Sequence, residues 1–223
     1  MSISLTPRLS AVASLVKGGG IIADIGTDHG YLPVYLLENG VVKGAIAADI
    51  NKKPLENAEK AVKASGYEDK IKLRLSDGLN SFQKGEADEF IFAGMGGTLI
   101  AEKLREIPWV KDGNIHFIFQ PQSRAEDLRE YLYSNGFSII REIATHESRR
   151  YYIAFDAVYT GKVKPFTQGE CFTGKLPCTE DAVIHLKKQL SRLEKRYDAL
   201  NLKGDDTSSL SQIISHIKEY ING

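Results

Sequence analysis

Three carboxylates punctuate the first half of the chain at matched places. Asp24 sits in the apolar run Ile21-Ile22-Ala23-Asp24-Ile25, just before Gly26-Thr27-Asp28-His29-Gly30. Asp49 stands in Ala47-Ala48-Asp49-Ile50, at the end of a second apolar run about twenty residues beyond that glycine turn, and Asp77 stands in Ser76-Asp77-Gly78 after a third. A glycine turn between an apolar run and a helix-like segment is the usual place for a nucleotide. The dinucleotide fingerprint G-x-G-x-x-G is absent, however, because Asp28 stands where its second glycine would be. A carboxylate there repels a pyrophosphate held on the amides of a helix start. The loop therefore suits a ligand with a positive charge.

S-adenosyl-L-methionine is such a ligand. Its ammonium and sulfonium fit Asp24 and Asp28, its two ribose hydroxyls suit Asp49, and its adenine amino group suits Asp77. The predicted cofactor set is Asp24, Gly26, Thr27, Asp28 and His29 in the first loop, then Asp49 and Ile50 at the second tip. Ser76, Asp77 and Gly78 follow at the third tip, and Ala93 and Gly94 at the fourth. The plain alternative is that each acid caps its own turn, as Asp often does. Repetition at three matched positions favours ligand binding.

The elements that must hold these tips are legible from periodicity. Apolar runs over 21–25, 45–50, 71–75, 90–93 and 117–119 predict buried strands, with helical patterns over 31–38, 53–65, 98–107 and 124–134 between them. Alternation of this kind implies a parallel sheet covered on both faces. Two strand-like runs, 137–144 and 150–159, then follow with only 145–149 between them. The fold class is therefore α/β, a Rossmann-like class I methyltransferase sheet ending in an antiparallel hairpin.

Residues 160–178, rich in Gly, Pro, Lys and Thr, predict an irregular connector. Beyond it Val183, Leu186, Leu190, Leu193, Tyr197 and Leu200 alternate at spacings of three and four, and Leu210, Ile213, Ile217 and Tyr220 repeat the pattern. That spacing predicts a C-terminal two-helix antiparallel coiled coil. The predicted division is a methyltransferase domain over 1–160 and a connector with helical hairpin over 161–223.

Composition bounds the rest. Among 223 residues, 42% are hydrophobic, enough for a sizeable core without disulfides or metals. Lys+Arg and Asp+Glu balance at 29 each, which argues against bulk nucleic-acid binding but leaves room for local basic patches. Cys171 and Cys178, with no His or Cys ligands beside them, predict free thiols and no metal site. The N-terminal segment lacks the order of a signal peptide and no run approaches the ~20 apolar residues of a membrane span. The expectation is a soluble cytoplasmic protein.

Four stretches carry a resemblance: LTPRLSAVASLV at 5–16, DIGTDHGYLP at 24–33, AGMGG at 93–97 and FQPQ at 119–122. With them the chain resembles, over nearly its whole length, the bacterial tRNA methyltransferases that methylate N1 of adenine 22. The resemblance implies a helical C-terminal domain, S-adenosyl-L-methionine as cofactor, and tRNA as partner, with a monomer favoured. It also makes Asp28-His29 a signature of the cofactor loop. Asn follows the family's QP motif; Gln122 stands here, so no base contact is assigned to position 122.

Adenine N1 already presents a lone pair, so alignment, and no general base, is what the site must supply. Candidates for positioning the adenine are Gly94, Met95 and Gln120. The wider predicted substrate set adds Arg8, Gly96, Gly97 and Pro121, and the stripe Lys188, Arg192 and Arg196 at i, i+4, i+8 of the first C-terminal helix. Such a stripe suits a phosphate backbone, although a solvated helix face is the ordinary reason for it. Two rival readings remain at this point: a methyltransferase of a small molecule or protein, and a non-catalytic cofactor-sensing interaction module.

Overall fold

A computed structural model describes residues 3–222; residues 1, 2 and 223, at the outer ends of the two predicted segments, lie outside it. Seven strands form one sheet: β1 (Ile21–Ile25), β2 (Gly44–Asp49), β3 (Ile71–Leu75), β4 (Glu89–Ala93), β5 (His116–Gln120), β6 (Phe137–Glu147) and β7 (Arg150–Tyr159). Their order is β3-β2-β1-β4-β5-β7-β6. The first five run parallel, and β7 then pairs antiparallel with both β5 and β6. The order reverses between β1 and β4, which makes the crevice beyond their carboxyl ends the natural ligand site.

Alternation along the strands divides the core by face, because successive side chains point to opposite sides. Phe90, Phe92, Phe117 and Phe119 face one side, and Ile22, Ile91 and Ile118 the other. The parallel register sets Phe90 beside Phe117 and Phe92 beside Phe119, with ring centroids 5.9 and 5.7 Å apart. Each fully buried ring contributes about 1.5–3 kcal/mol. Helices α1 (Pro7–Leu15), α2 (Tyr31–Glu38) and α3 (Lys52–Ser65) accompany the isoleucine face; α4 (Gly97–Arg105) and α5 (Ala125–Ser134) cover the phenylalanine face. Thr6 caps α1 by accepting from the Leu9 amide, and Pro7 starts it, so Arg8 is held at the first turn.

The predicted connector is not wholly irregular. It contains α6 (Gln168–Thr173), closed by a capping box in which Thr167 and Glu170 satisfy each other's backbone amides. The T-x-x-E signal was present, but the surrounding Gly and Pro obscured it. Next come α7 (Glu180–Lys203) and α8 (Ser208–Asn222), tied to each other by Lys218–Glu194 at 2.8 Å. Their apolar stripes do not form a seam shared by two helices alone. Leu186 and Leu193 of α7 and Ile214 and Ile217 of α8 join the same core as Phe117 and Phe137, and α7 also packs on β6 and β7.

The terminal hairpin is longer than its sequence suggested, with only Ser148 and Arg149 between the strands. Its projecting end is held by α7: His146 Nδ1 lies 2.9 Å from Asp181, and Lys188 Nζ donates to the Arg149 carbonyl at 3.0 Å. The buried Arg129 of α5 donates to Glu142 of β6 at 2.9 Å and to the carbonyls of Cys171 and Phe172 at 2.8 and 3.2 Å. That one guanidinium joins the sheet's last strand to α6. No described helix is long and apolar enough to cross a membrane, and both cysteines are free.

Candidate functional site

A cavity of about 400 Å³ opens at the carboxyl ends of β1 and β4. Asp24, Gly26, Thr27, Asp28, His29, Ala93 and Gly94 line it, together with Arg8 and Gln122. The larger cavity, about 1020 Å³, lies at the opposite, amino-terminal end of the strands. There Glu89 and Asp156 clasp the two ring nitrogens of buried His116 at 2.6 and 3.0 Å. Burial opposes charge on that imidazole, but Asp156 and Glu89 outweigh it and raise its pKa. Both carboxylates are engaged by the imidazole, so size alone does not make that end the reactive one.

The cofactor loop has the features a cationic ligand needs. Gly26 turns the chain at φ +81°, and its amide and that of Thr27 both donate to the Ala48 carbonyl, locking the loop to β2. A Cβ on Gly30 would sit 3.1 Å from the Ala58 Cβ, so glycine there lets α2 approach α3. Asp24 is buried, and its pKa is pushed up to about 6, first by burial and further by the neighbouring Asp49 carboxylate. Thr27 lies near enough to ease that shift, yet its own buried hydroxyl makes no hydrogen bond of good geometry among the described residues. A buried acid lacking a cation beside an orphaned hydroxyl fits the ammonium end of S-adenosyl-L-methionine. Asp28 and His29 stand 3.3 Å apart at the exposed mouth, and His29 stacks on Tyr31 with centroids 5.1 Å apart.

The other predicted cofactor residues lie along the neighbouring tips. Asp49 ends β2, where its Oδ1 accepts from the Asn51 amide at 2.7 Å, and Ile50 beside it is 57% exposed. Leu75, at the end of β3, is 50% exposed; with Ile50 it offers apolar surface at the tips, a residue that sequence reasoning passed over as strand core. Asp77 is paired with Lys103 of α4 at 2.9 Å. Ser76 is buried, donates to the Gly78 carbonyl and accepts from the Ser81 amide, so it shapes the loop.

The two turns after β4 and β5 zip together. Gly94 donates to the Gln120 carbonyl, Gln122 donates to the Met95 carbonyl, and Gly96 bridges to Ser123. Several of the predicted substrate residues are engaged within the protein here. Gln120 is buried, with its Oε1 accepting from Arg8 Nη1 at 2.8 Å and its Nε2 donating to the Pro121 carbonyl at 3.2 Å. Pro121 is itself buried. A Cβ on Gly97 would overlap the Arg124 carbonyl, so this glycine serves the close approach of α4 to the β5 turn. Met95 sulfur packs over Gly26 at the edge of the core, with only part of its surface open. Arg8 and Gly94 remain at the cavity, and Arg8 also lies over the Tyr152 ring, 5.9 Å from its centroid.

A second cleft, about 520 Å³, lies between the β5 turn, the β6–β7 hairpin and α7. Lys188, Arg192 and Arg196 line one side, with Arg124, Arg149 and Arg150 facing them around Tyr151 and Tyr152. Lys188 is anchored against the hairpin and over the Tyr151 ring at 4.3 Å. Arg149, Arg150, Arg192 and Arg196 form no salt bridge among the described residues, while Arg124 is paired with Asp127. His185 in this cleft is pushed down to about 4, chiefly by burial and then by Arg129, so the arginines carry its charge. Sequence reasoning missed the facing wall because Arg149-Arg150 looks like an ordinary hairpin turn. Gln122 borders both cavities.

A parallel sheet closed by a reversed hairpin, with an acidic nucleoside-binding crevice at its switch point, defines the class: a Rossmann-like methyltransferase. A methyltransferase-domain family matches residues 5–155. The chain is 38% identical over 213 residues to the tRNA (adenine(22)-N(1))-methyltransferase of Bacillus subtilis strain 168, covering 91% of this chain and 88% of that protein. It belongs to the tRNA (adenine(22)-N(1))-methyltransferase family. Among solved structures, Streptococcus pneumoniae Sp1610 in complex with S-adenosyl-L-methionine is 32% identical with a TM-score of 0.83, over 96% of this chain and 98% of that one. M. capricolum TrmK, in complex with S-adenosyl-homocysteine, is 28% identical with a TM-score of 0.80, over 98% of each chain.

Proposed function

We propose that this protein transfers a methyl group from S-adenosyl-L-methionine to N1 of adenine 22 in tRNA. One observation carries the reading: an acidic cavity at the sheet's switch point and an arginine-lined cleft meet at the shared wall residue Gln122. When bound, the cofactor supplies a methyl on a cationic sulfur, which the lone pair of neutral adenine N1 displaces without prior loss of a proton. Asp24 holds the cationic tail, Asp49 meets the ribose hydroxyls, and Asp77 lies at the adenine end with Lys103 fixing its carboxylate. Arg8, braced by Gln120, borders the path from the cleft. Alignment by such fixed groups can lower the barrier by several kcal/mol.

The arginines of the second cleft receive the phosphate backbone. Replacing Arg192 and Arg196 together by Glu is expected to weaken tRNA binding about 10- to 100-fold at low salt and flatten its salt dependence. Affinity for the cofactor should stay as it was, since neither arginine lines the cofactor cavity. Filter binding across a salt series, beside calorimetry with the cofactor, checks both halves. The proposed setting is the cytoplasm, where tRNA and cofactor are both present. A monomer is favoured because the apolar faces of α7 and α8 are covered within the chain. The reading is tested by incubating unmodified tRNA with labelled cofactor and mapping the methyl by mass. Label at N1 of adenine 22 is expected; label elsewhere, or only on a protein or small molecule, overturns it.

A further inference from the structure

The turn after β5 offers two glutamines, and the fold uses them in opposite ways. Gln120 is 1% exposed and both ends of its amide are engaged, by Arg8 and by the Pro121 carbonyl. Gln122 is exposed, and its carboxamide makes no hydrogen bond to any described residue. Its backbone is nevertheless fixed, because its amide donates to the Met95 carbonyl at 2.8 Å. Its Nε2 lies 4.0 Å from where a Cβ on Gly94 would stand, so the free amide hangs over the turn that closes the cofactor cavity. On its other side begins the arginine cleft. The amide thus stands on the wall that the arginine cleft and the cofactor cavity share.

We propose that Gln122 is the specificity-determining residue for the base, its Oε1 accepting a hydrogen bond from the N6 amino group of the target adenine. The assignment rests on the adenine-N1 reading above. In the transfer, N1 gives its lone pair to the new N–CH3 bond, the S–CH3 bond breaks, and the sulfur leaves as a neutral thioether. The positive charge moves onto the adenine and spreads to its N6 protons. An acceptor on N6 is thus held more strongly in the transition state than in the ground state, which raises kcat more than it lowers KM. Guanine presents a carbonyl at the same edge and would face an acceptor with an acceptor, so the amide must turn or the base is refused. A charge-assisted bond of this type corresponds to roughly 10- to 100-fold in rate.

The test uses two tRNAs that differ by one group, one with adenine and one with purine at position 22, the latter lacking the N6 amine. Wild-type protein, Gln122→Met and Gln122→Glu are compared in single turnover at saturating cofactor. Gln122→Met should slow methylation of the adenine tRNA about 10- to 100-fold through kcat and leave the purine tRNA at the wild-type rate. Gln122→Glu, which keeps an acceptor, should recover most of the adenine rate. Equal losses by Gln122→Met on both tRNAs, or a change confined to KM, overturn the assignment while leaving the parent reading standing. A wild-type protein inert on the adenine tRNA removes that parent reading and this assignment together.

Discussion

Asp24→Asn is expected to make the protein more stable without cofactor and nearly unable to bind it. Ionised Asp24 is costly in the fold because it is buried and lies near the Asp49 carboxylate; its pKa rises from 3.8 to about 6. That rise corresponds to about 3 kcal/mol. The sign follows from proton linkage. With a folded pKa above the unfolded one, the group's favourable contribution is complete below the unfolded value and lost as pH climbs through about 6. At pH 8 the wild type therefore carries the full penalty, and the isosteric amide removes up to about 3 kcal/mol of it, a rise of several degrees in Tm. The melting difference between the two proteins should shrink toward zero near pH 4.

Binding moves the other way. A ligand cation beside Asp24 favours its charged form, so wild-type affinity should rise with pH through about 6 and level off above it. Asp24→Asn loses the charge, and the cofactor should bind about 100-fold more weakly, with a flatter pH dependence over the same range. Calorimetric titrations between pH 5 and pH 8, with melting curves in the same buffers, measure both effects. A variant that is both less stable and equally tight-binding would contradict the assigned role. The instability of this carboxylate is a property of the site: a group strained by burial is poised for the cation that relieves it.

The second large effect belongs to Arg129. Its side chain is fully buried, and Glu142 is its only carboxylate partner among the described residues. Removing one member of a buried pair leaves the other uncompensated, at a cost of about 3–5 kcal/mol. Arg129→Met should therefore lower stability by that amount in urea denaturation, a large part of the 5–15 kcal/mol typical of a folded protein. The loss should be concentrated where Arg129 grips the Cys171 and Phe172 carbonyls, so hydrogen exchange in α6 and α8 should quicken first. Glu142→Leu added to Arg129→Met should recover much of the loss, because it removes the stranded charge. A variant as stable as wild type would show that α6 is held by its apolar contacts alone.

Arg129 also marks the limit of what the linear chain reveals. The strand tips were legible because burial enforces continuous apolar runs, and an acid at the end of one is conspicuous. That places Asp24, Asp49 and Asp77 at neighbouring tips from the sequence alone, and the AGMGG and QPQ turns with them. The family, the sheet with its terminal hairpin and the cofactor follow from those local patterns, each contained within a few residues. Ser76, Gly97 and Gln120 look equally reactive in one dimension, yet the fold turns each inward, because hydrogen bonding and close backbone approach depend on residues far away in sequence.

What the sequence determined by itself is therefore the acidic crevice and the strand-helix order that builds it, since both are written in short-range periodicity. The tertiary structure alone decided that α7 lies along the β6–β7 hairpin, so that Arg149 and Arg150 face Arg192 and Arg196 across one cleft. It alone decided that Gln122, and not Gln120, keeps a free amide between that cleft and the cofactor cavity. The reason is physical: exposure and facing distance are relations between segments, and only the packed core fixes them.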